Sequence, residues 1–333
     1  MPSIAHISLT FVGLMWVLPF LYYYHSYPLT TFYQEWGAAI LGLFAMPLLV
    51  TKRYWLQPEI PLIVLLPIGL LLLGMMQFVL GRVGYFEQIL LFALYLLWAA
   101  LLMMLGQRLR EEFGLPALAT ALATFLLVGA ELNALAGILQ NYRWHTFLDA
   151  VVTAKISVAV YGNVAQPNHF ANYITLGLIS LGLLHMRSLL RAWYVVLLTM
   201  PLLFVLVLSG SRSVWLYLLL MAGMAWWWQR SDKSCLPLLR YTLLLLLGFG
   251  LMHAVVQIPW LEGASGSVTT MRRLFGEGAS GSIGLCCGEG WRIFTQFSSA
   301  GRWFGQFAWQ HFNSACFCGT QTLPVCITMR IHW

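Results

Sequence analysis

Long apolar runs separated by short polar connections dominate the chain. A helix that crosses a bilayer needs about 20 largely apolar residues. Nine runs fit that length, near residues 7–24, 36–51, 60–80, 86–106, 115–139, 169–186, 192–209, 213–229 and 239–258. Several contain proline, which membrane helices tolerate because neighbouring groups satisfy the freed backbone atoms. The pattern predicts an all-α, polytopic membrane protein with about nine transmembrane helices.

The composition excludes an ordinary soluble domain. Of the 333 residues, 60% are hydrophobic and only 9% are charged, against roughly 25% charged residues in soluble domains. The formal net charge of +7 comes from short loops and not from a basic patch with interleaved aromatic residues, so nucleic-acid binding is a poor interpretation. The sequence contains no His, Cys, Asp or Glu cluster with metal-ligand spacing and no nucleotide-binding motif. We therefore expect neither a metal nor a cofactor.

The distribution of Lys and Arg predicts the orientation, because cytoplasmic loops of membrane proteins are enriched in both. One alternate set of loops holds nine such residues: Lys52, Arg53, Arg108, Arg110, Arg187, Arg191, Arg230, Lys233 and Arg240. The opposite set holds four: Arg82, Arg143, Lys155 and Arg212. We expect a cytoplasmic N-terminus in a bacterial inner membrane. The 140–168 loop, Arg212 and everything after residue 259 would then face the periplasm.

A first polar island, residues 162–173, interrupts the apolar pattern with Gln166, Asn168, His169 and Asn172. Pro167 is suited to open the sixth helix, where its fixed φ fits and its missing N–H costs nothing. The N-terminus of a helix offers free N–H groups and a positive dipole end to an anion. The alternative is that Asn168 caps the helix and His169 has no role, but capping explains neither Gln166 nor Asn172.

A second polar island reads Ser-Gly-Ser-Arg-Ser at residues 209–213 and lies between two apolar runs. An arginine in that setting usually faces a functional cavity, and its guanidinium can bind phosphate in a bidentate manner. The alternative, equally weighted, is a snorkelling arginine that anchors a helix end. The small neighbours Ser211 and Ser213 favour a site, since they let a ligand approach Arg212.

Two polar residues, Glu131 and Asn133, lie within the fifth predicted span. An ionisable group at that depth is a functional hypothesis, but a structural hydrogen bond to another helix is the favoured interpretation. The Gly- and Ser-rich stretch 259–290 is interpreted as a flexible connection in preference to a phosphate cradle.

The two islands resemble the O-antigen ligase and polymerase superfamily and, more narrowly, the pilin-type bacterial O-oligosaccharyltransferases, or protein glycosylation ligases. The resemblance covers residues 1–312 and is most specific at 161–173 and 206–217. Such enzymes transfer a glycan from undecaprenyl pyrophosphate to Ser or Thr of a periplasmic or pilin-like protein, without a cofactor or an obligatory metal.

The resemblance also implies site residues and partners. Arg212 and His169 would be catalytic, with Arg212 binding the pyrophosphate. The substrate-binding residues would be Gln166, Asn168, Asn172, Ser211 and Ser213. The partners would be an undecaprenyl-pyrophosphate-linked glycan, a pilin-like protein or lipid A core, and membrane lipids.

Two alternatives stay open on the sequence alone. The same chemistry could ligate O-antigen to lipid A core or polymerise its repeat units. A protein of another class, a membrane transporter, could place Arg212 and Glu131 along a solute path, although the internal repeats common in transporters are not visible here.

After Phe297 the chain departs from the family pattern. The family continues Pro-Leu-Leu-Gly-x-Gly-Phe-Gly, whereas residues 298–305 read Ser-Ser-Ala-Gly-Arg-Trp-Phe-Gly. A one-base shift of suitable codons for 298–303 gives Pro-Leu-Leu-Gly-Ala-Gly, and a neighbouring frame of 313–333 can contain the Asn-Asn-Ala-His of the family's periplasmic loop. We therefore divide the chain into a transmembrane domain (1–258), the start of a large periplasmic loop (259–312) and an out-of-frame tail (313–333).

This division changes how the end of the sequence is interpreted. Five cysteines fall there, Cys286, Cys287, Cys316, Cys318 and Cys326; a disulfide cluster is the alternative, but we attribute those of the tail to the shifted frame. We expect a frameshifted, truncated form with little or no activity, because the family's loop histidine, a candidate base, would be lost.

The nucleotide sequence tests this hypothesis directly. We expect insertions or deletions between codons 284 and 313 relative to an intact family member, because the family pattern reappears in neighbouring frames. Resequencing of that region is the measurement. An uninterrupted frame without such changes would contradict the hypothesis.

Overall fold

The computed structural model describes residues 3–25, 30–51, 60–81, 86–142, 146–155, 159–164 and 166–258. Within these ranges the regular structure is helical and contains no strand. The helices are α1 (Ile4–Met15), α2 (Leu18–Leu21), α3 (Phe32–Ala45), α4 (Leu65–Val79), α5 (Phe86–Tyr142), α6 (Pro167–Met186), α7 (Ala192–Leu208), α8 (Ser213–Ser231) and α9 (Leu236–Val256). Short 3-10 turns occupy Met46–Val50, Leu62–Val64, Phe147–Val151 and Lys233–Cys235.

The prediction of an all-α, multi-pass membrane protein is confirmed. Each of the nine predicted apolar runs overlaps a helix. Among the described residues, five helical stretches are long and apolar enough to cross a bilayer: Ile4–Leu21, Phe32–Val50, Leu62–Val79, Ile89–Tyr142 and Lys233–Val256. Helix α7 is apolar but has only 17 residues. The number of nine spans therefore stays a prediction.

Helix α5 contains a break at Gly114, where φ is 74° and ψ is 152°. An unbroken helix of 57 residues would be about 85 Å long at 1.5 Å per residue, far beyond the roughly 30 Å core of a bilayer. Glycine adopts a positive φ without a Cβ penalty, and Pro116 follows just after the break. The two predicted spans 86–106 and 115–139 are thus separate helical segments joined at Gly114.

The described residues divide into two compact units, one drawn from the ranges 3–51 and 104–258 and the other from the range 60–103. In the second unit, α4 packs on the beginning of α5. A Cβ added at Gly74 would lie 3.0 Å from the ring of Phe92, and the rings of Phe78 and Phe86 are 5.9 Å apart. Because Gly74 has no side chain, the two helices can pack this closely.

Helix α6 forms the centre of the first unit, and Leu178 at its middle is fully buried. Neighbouring helices approach it at its glycines. A Cβ at Gly177 would lie 2.3 Å from Cβ of Ala130 in α5, and one at Gly182 would lie 2.6 Å from the ring of Tyr241 in α9. The Tyr241 hydroxyl also donates to the carbonyl of Leu178 at 2.7 Å. Small residues at helix contacts are typical of membrane proteins.

Aromatic contacts tie α6 to the N-terminal helices. The ring of Tyr173 stacks on Phe20 with centroids 4.3 Å apart, and its hydroxyl donates to the carbonyl of Trp16. The first polar island thus begins a helix that is fixed on several sides. Outward-facing side chains of α7, α8 and α9, such as those of Leu197, Trp227 and Leu244, are exposed apolar groups, as expected of a surface that faces lipid.

Several predictions fall outside the described residues. These include the periplasmic loop start 259–312, the tail 313–333 with its cysteines, and four of the basic residues that carry the orientation argument: Lys52, Arg53, Arg82 and Arg143. The three-part division and the orientation therefore remain predictions.

The close contact between Gly177 and Ala130 predicts that a side chain at residue 177 destabilises the protein. Gly177→Ala should lower the free energy of unfolding by about 1–3 kcal/mol, because the new methyl group overlaps Ala130 and neither Cβ can rotate away. Gly250→Ala in α9 is the matched control, since a Cβ there meets nothing within 4 Å; it should be neutral or stabilising by up to about 1 kcal/mol. Thermal unfolding of both variants in detergent is the measurement, and equal effects would contradict the packing argument.

Candidate functional site

The backbone before α6 is held by the buried side chain of Gln140 in α5. Its Oε1 accepts hydrogen bonds from the N–H groups of Tyr161 and Gly162, each at 3.1 Å. Its Nε2 donates to the carbonyls of Thr153 at 2.9 Å and Gly162 at 3.1 Å. All four hydrogen-bonding positions of this amide are therefore used, and they fix residues 161–162. Sequence reasoning missed Gln140, although a glutamine in an apolar run was a signal.

Gly162 is required at its position. Its φ is 53°, and a Cβ there would lie 2.8 Å from the ring of Phe170 and 3.0 Å from the carbonyl oxygen of Asn133. Both the conformation and the space exclude a side chain, which accounts for the glycine at the start of the first island.

Asn163, 3% exposed, connects three segments. Its Nδ2 donates to the carbonyls of Leu21 at 2.9 Å and Val151 at 2.8 Å. Its Oδ1 accepts from the N–H of Thr153 at 2.9 Å. The end of α2, the 146–155 segment and the first island are thus joined through one side chain, a second residue that sequence reasoning missed.

The structural interpretation of Asn133 is confirmed. Its Oδ1 accepts from the N–H of Asn163 at 3.3 Å, and its Nδ2 donates to the carbonyl of Phe20 at 3.0 Å. For Glu131, the buried Oε1 makes no hydrogen bond to any residue that the structure describes. The role of Glu131 accordingly stays a prediction.

Helix α6 begins at Pro167, as predicted, with Gln166 as its N-cap residue. The alternative that Asn168 caps the helix is wrong, because Asn168 lies inside the first turn and not before it. Its Oδ1 instead accepts a hydrogen bond from Oγ of Ser211 at 3.0 Å. The side chains of Gln166, Asn168, His169 and Asn172 are all exposed.

The two polar islands are in direct contact. Besides the bond between Ser211 and Asn168, the N–H of Val160 donates to the carbonyl of Leu208 at 3.0 Å. Oγ of Ser211 and Oγ of Ser213 are 2.7 Å apart, so a chain of hydrogen bonds runs from Ser213 to Asn168. The islands, separated by some forty residues of sequence, form one polar surface.

The turn between α7 and α8 is shaped by its small residues. Gly210 has a φ of 61°, and Oγ of Ser209 accepts from the N–H of Ser211 at 3.2 Å while donating to the carbonyl of Leu206 at 2.7 Å. Ser209 and Ser211 are both buried. This tight, internally bonded turn ends at Arg212, the residue that precedes α8.

Arg212 is exposed. No hydrogen bond or ion pair joins its guanidinium to another of the described residues, so the structure does not link it directly to Gln166, His169 or Asn172. Its backbone position beside Ser211 and Ser213 places its charge next to the polar surface. Helices α6 and α8 both begin at this polar surface. The N-terminus of each helix offers free N–H groups and a positive dipole end.

This arrangement is suited to an anion with more than one oxygen. A guanidinium provides a fixed fork of donors for phosphate, and the two helix N-termini add further positive potential. A metal centre is not seen in the described part of the chain, which contains no group of three or more His, Cys, Asp or Glu side chains able to hold a metal ion.

The hydrogen bonds of the Gln140 side chain predict that this residue keeps the backbone of residues 159–164 rigid. Gln140→Leu should leave the groups that bond it at residues 153, 161 and 162 without partners, and amide exchange at residues 159–164 should accelerate by roughly tenfold or more, since each orphaned buried group costs about 1–3 kcal/mol. Gln107→Leu, in the segment of α5 before Gly114, is the control, because the Gln107 side chain donates to Glu111 within its own helix. Hydrogen–deuterium exchange with mass spectrometry measures both, and unchanged protection in Gln140→Leu would contradict the scaffold role.

Comparison with known proteins supports the resemblance seen in the sequence. A family model described as "Protein glycosylation ligase" matches residues 160–185, which cover the first island and nearly all of α6. The chain is 30% identical over 243 residues to a protein named "General O-oligosaccharyltransferase" from Acinetobacter baylyi (strain ATCC 33305 / BD413 / ADP1). The match covers 72% of this chain and 40% of that relative. No solved structure matches.

Proposed function

We propose that this chain, whose similarities support membership of the O-antigen ligase and protein glycosylation ligase family, is an oligosaccharyltransferase. It would transfer an oligosaccharide from undecaprenyl pyrophosphate to Ser or Thr hydroxyls of periplasmic or pilin-like proteins. The matches do not favour an O-antigen ligase acting on lipid A core, an O-antigen polymerase or a transporter.

One observation carries the proposal. The exposed Arg212 follows a turn whose Ser211 is bonded to Asn168, inside the segment that matches the family model. Arg212, the start of α6 and the start of α8 therefore present one cationic, donor-rich surface. A pyrophosphate has the charge and the several oxygens that such a surface can bind.

Arg212 would stabilise the transition state of the transfer reaction more than the bound substrate. The acceptor hydroxyl attacks the anomeric carbon of the glycan and gives its proton to water, while the bond from that carbon to the pyrophosphate oxygen breaks with its electron pair on the oxygen. Negative charge grows on the departing pyrophosphate, and a guanidinium fixed beside it stabilises that charge more in the transition state than in the ground state.

The first island would hold the reacting groups around Arg212. Because Oδ1 of Asn168 is engaged by Ser211, the Nδ2 group of Asn168 is the part left to donate to substrate. Gln166 and Asn172 are exposed amides at the N-cap and in the second turn of α6, suited to bind sugar hydroxyls. We assign His169, also exposed, a catalytic role, and Ser213 a place in the hydrogen-bonded chain from Ser213 to Asn168.

We also propose that the protein lies in the bacterial inner membrane. The nine-to-four distribution of Lys and Arg supports an inner-membrane protein with a cytoplasmic N-terminus. The islands would then face the periplasm, where a lipid-linked glycan and a pilin-like acceptor are accessible. Because the residues after Phe297 depart from the family pattern, we also propose that the 333-residue form transfers little or no glycan, which robust transfer by that form would contradict.

The binding role of Arg212 can be tested without catalysis. Arg212→Ala should weaken binding of farnesyl pyrophosphate to the purified chain by roughly 10- to 100-fold, because a charge-assisted hydrogen bond contributes about 1.5–3 kcal/mol. Arg212→Lys should bind with intermediate affinity, since it keeps the charge and loses the bidentate fork. Microscale thermophoresis or calorimetry in nanodiscs measures the dissociation constants.

Arg240→Ala is the matched control, because Arg240 is an exposed arginine near the other end of the α8 and α9 pair. It should leave binding unchanged. If Arg212→Ala binds the pyrophosphate as tightly as the unmodified chain while both insert into membranes, the central assignment is wrong. A loss of the same size in Arg240→Ala would show general electrostatic attraction and would also contradict it.

A further inference from the structure

Behind the first turn of α8, three aromatic rings pack together. Phe249 of α9 is fully buried, and the rings of Trp215 and His253 both contact it edge-on, with centroid distances of 4.9 Å and 4.7 Å. The rings of Trp215 and His253 stack on each other, with centroids 5.7 Å apart and planes 29° apart. We call Trp215, Phe249 and His253 the aromatic cluster.

Each of the two stacked rings carries a buried nitrogen atom without a partner among the described residues. Nε1 of Trp215 and Nε2 of His253 are closed to solvent and bond to none of the residues that the structure describes. Buried polar atoms are normally hydrogen-bonded, and an exception in a native structure calls for an explanation. Two unpartnered nitrogens on neighbouring rings call for a shared explanation.

The chemistry of the two nitrogens differs. The indole Nε1–H of Trp215 can only donate. Nδ1 of His253 lies 2.8 Å from the carbonyl oxygen of Phe249, and since a carbonyl only accepts, Nδ1 carries the hydrogen. In the neutral ring Nε2 is then an acceptor. The aromatic cluster therefore offers one donor and one acceptor.

We propose that Trp215 and His253 form a hydroxyl-binding subsite adjoining Arg212. A hydroxyl group accepts and donates at once, so its oxygen can accept from Nε1 of Trp215 while its hydrogen is donated to Nε2 of His253. An ionised pyrophosphate only accepts and would leave Nε2 of His253 unsatisfied. The subsite thus selects a neutral alcohol, in contrast to the anion expected at Arg212.

The position of the aromatic cluster connects it to the proposed site. Trp215 follows Arg212 by three residues, a rise of about 4.5 Å along α8. His253 lies in the last turn of α9, at the same end of the helix pair. Because both nitrogens are closed to solvent, the proposal requires the stacked rings of Trp215 and His253 to move apart when a hydroxyl binds. That the hydroxyl belongs to a glycan or to an acceptor serine rests on the proposed function, whereas the preference for a hydroxyl does not.

The tautomer and the ligand class can be read from nitrogen NMR of the full chain in nanodiscs, with ¹⁵N-labelled histidine and His253→Asn to assign the His253 signals. Addition of methyl N-acetylglucosaminide or of N-acetylserine amide should shift the Nε2 signal of His253, and inorganic pyrophosphate should not. The alcohol that shifts the signal identifies the source as glycan or acceptor. A shift with pyrophosphate alone, or with none of the three probes, would overturn the subsite even if Arg212 binds pyrophosphate as proposed.

Paired substitutions separate binding from packing. In His253→Gln the side-chain oxygen can take the place of Nε2, and in His253→Asn the side-chain amide can take the place of Nδ1. We expect His253→Asn and Trp215→Phe to weaken binding of the effective alcohol by about 3- to 10-fold, the size of one lost hydrogen bond, with His253→Gln close to the unmodified chain.

The reverse pattern would refute the subsite. Normal binding in His253→Asn with weak binding in His253→Gln would show that only the bond to Phe249 matters. An equal loss in both variants together with a lower melting temperature would show a packing role, which also contradicts the proposal. Trp215→Phe keeps the ring contact with Phe249, so weaker binding at an unchanged melting temperature isolates the missing N–H.

Discussion

The structure of the candidate site depends on side-chain amides that form hydrogen bonds with the N–H and C=O groups of non-helical backbone inside a membrane protein. Residues 159–164 are not helical, and backbone groups buried away from water need partners. Gln140 and Asn163 supply them with side-chain donors and acceptors. Because these bonds fix the chain just before Pro167, α6 begins where Asn168 can bond Ser211. A change in those amides would therefore act at a distance on the Arg212 turn.

The apolar pattern was sufficient to locate the helices, because burial in lipid or protein requires long hydrophobic runs whatever the packing. It was not sufficient to count the spans. The helices that carry the islands, α6 and α8, include polar residues such as Asn168, Asn172 and Arg230, which lower their hydropathy, and α7 is short. The sequence therefore places a helix in each run but does not show which of them cross the bilayer independently.

The site was only partly predictable. The types of residue in each island indicated anion binding, and the resemblance indicated which anion. The contact between Ser211 and Asn168 could not be derived, since it depends on how α6 and α7 pack. Asn168 was a plausible cap until the structure placed the N-cap two residues earlier, at Gln166. Gln140 was overlooked because a single amide in an apolar run has the same sequence signal whether it holds a loop or bonds another helix.

If helix α7 crosses the bilayer, as the apolar pattern predicts, its short length would affect the membrane around the site. Its 17 residues span about 26 Å, less than the roughly 30 Å hydrocarbon core, and a bilayer meets such a mismatch by thinning locally. Thinning next to Arg212 would bring lipid headgroups down toward the guanidinium. A substrate carried on a long isoprenoid could then present its pyrophosphate to the protein while its tail stays in the leaflet, so that access would be lateral and sensitive to the thickness of the host membrane.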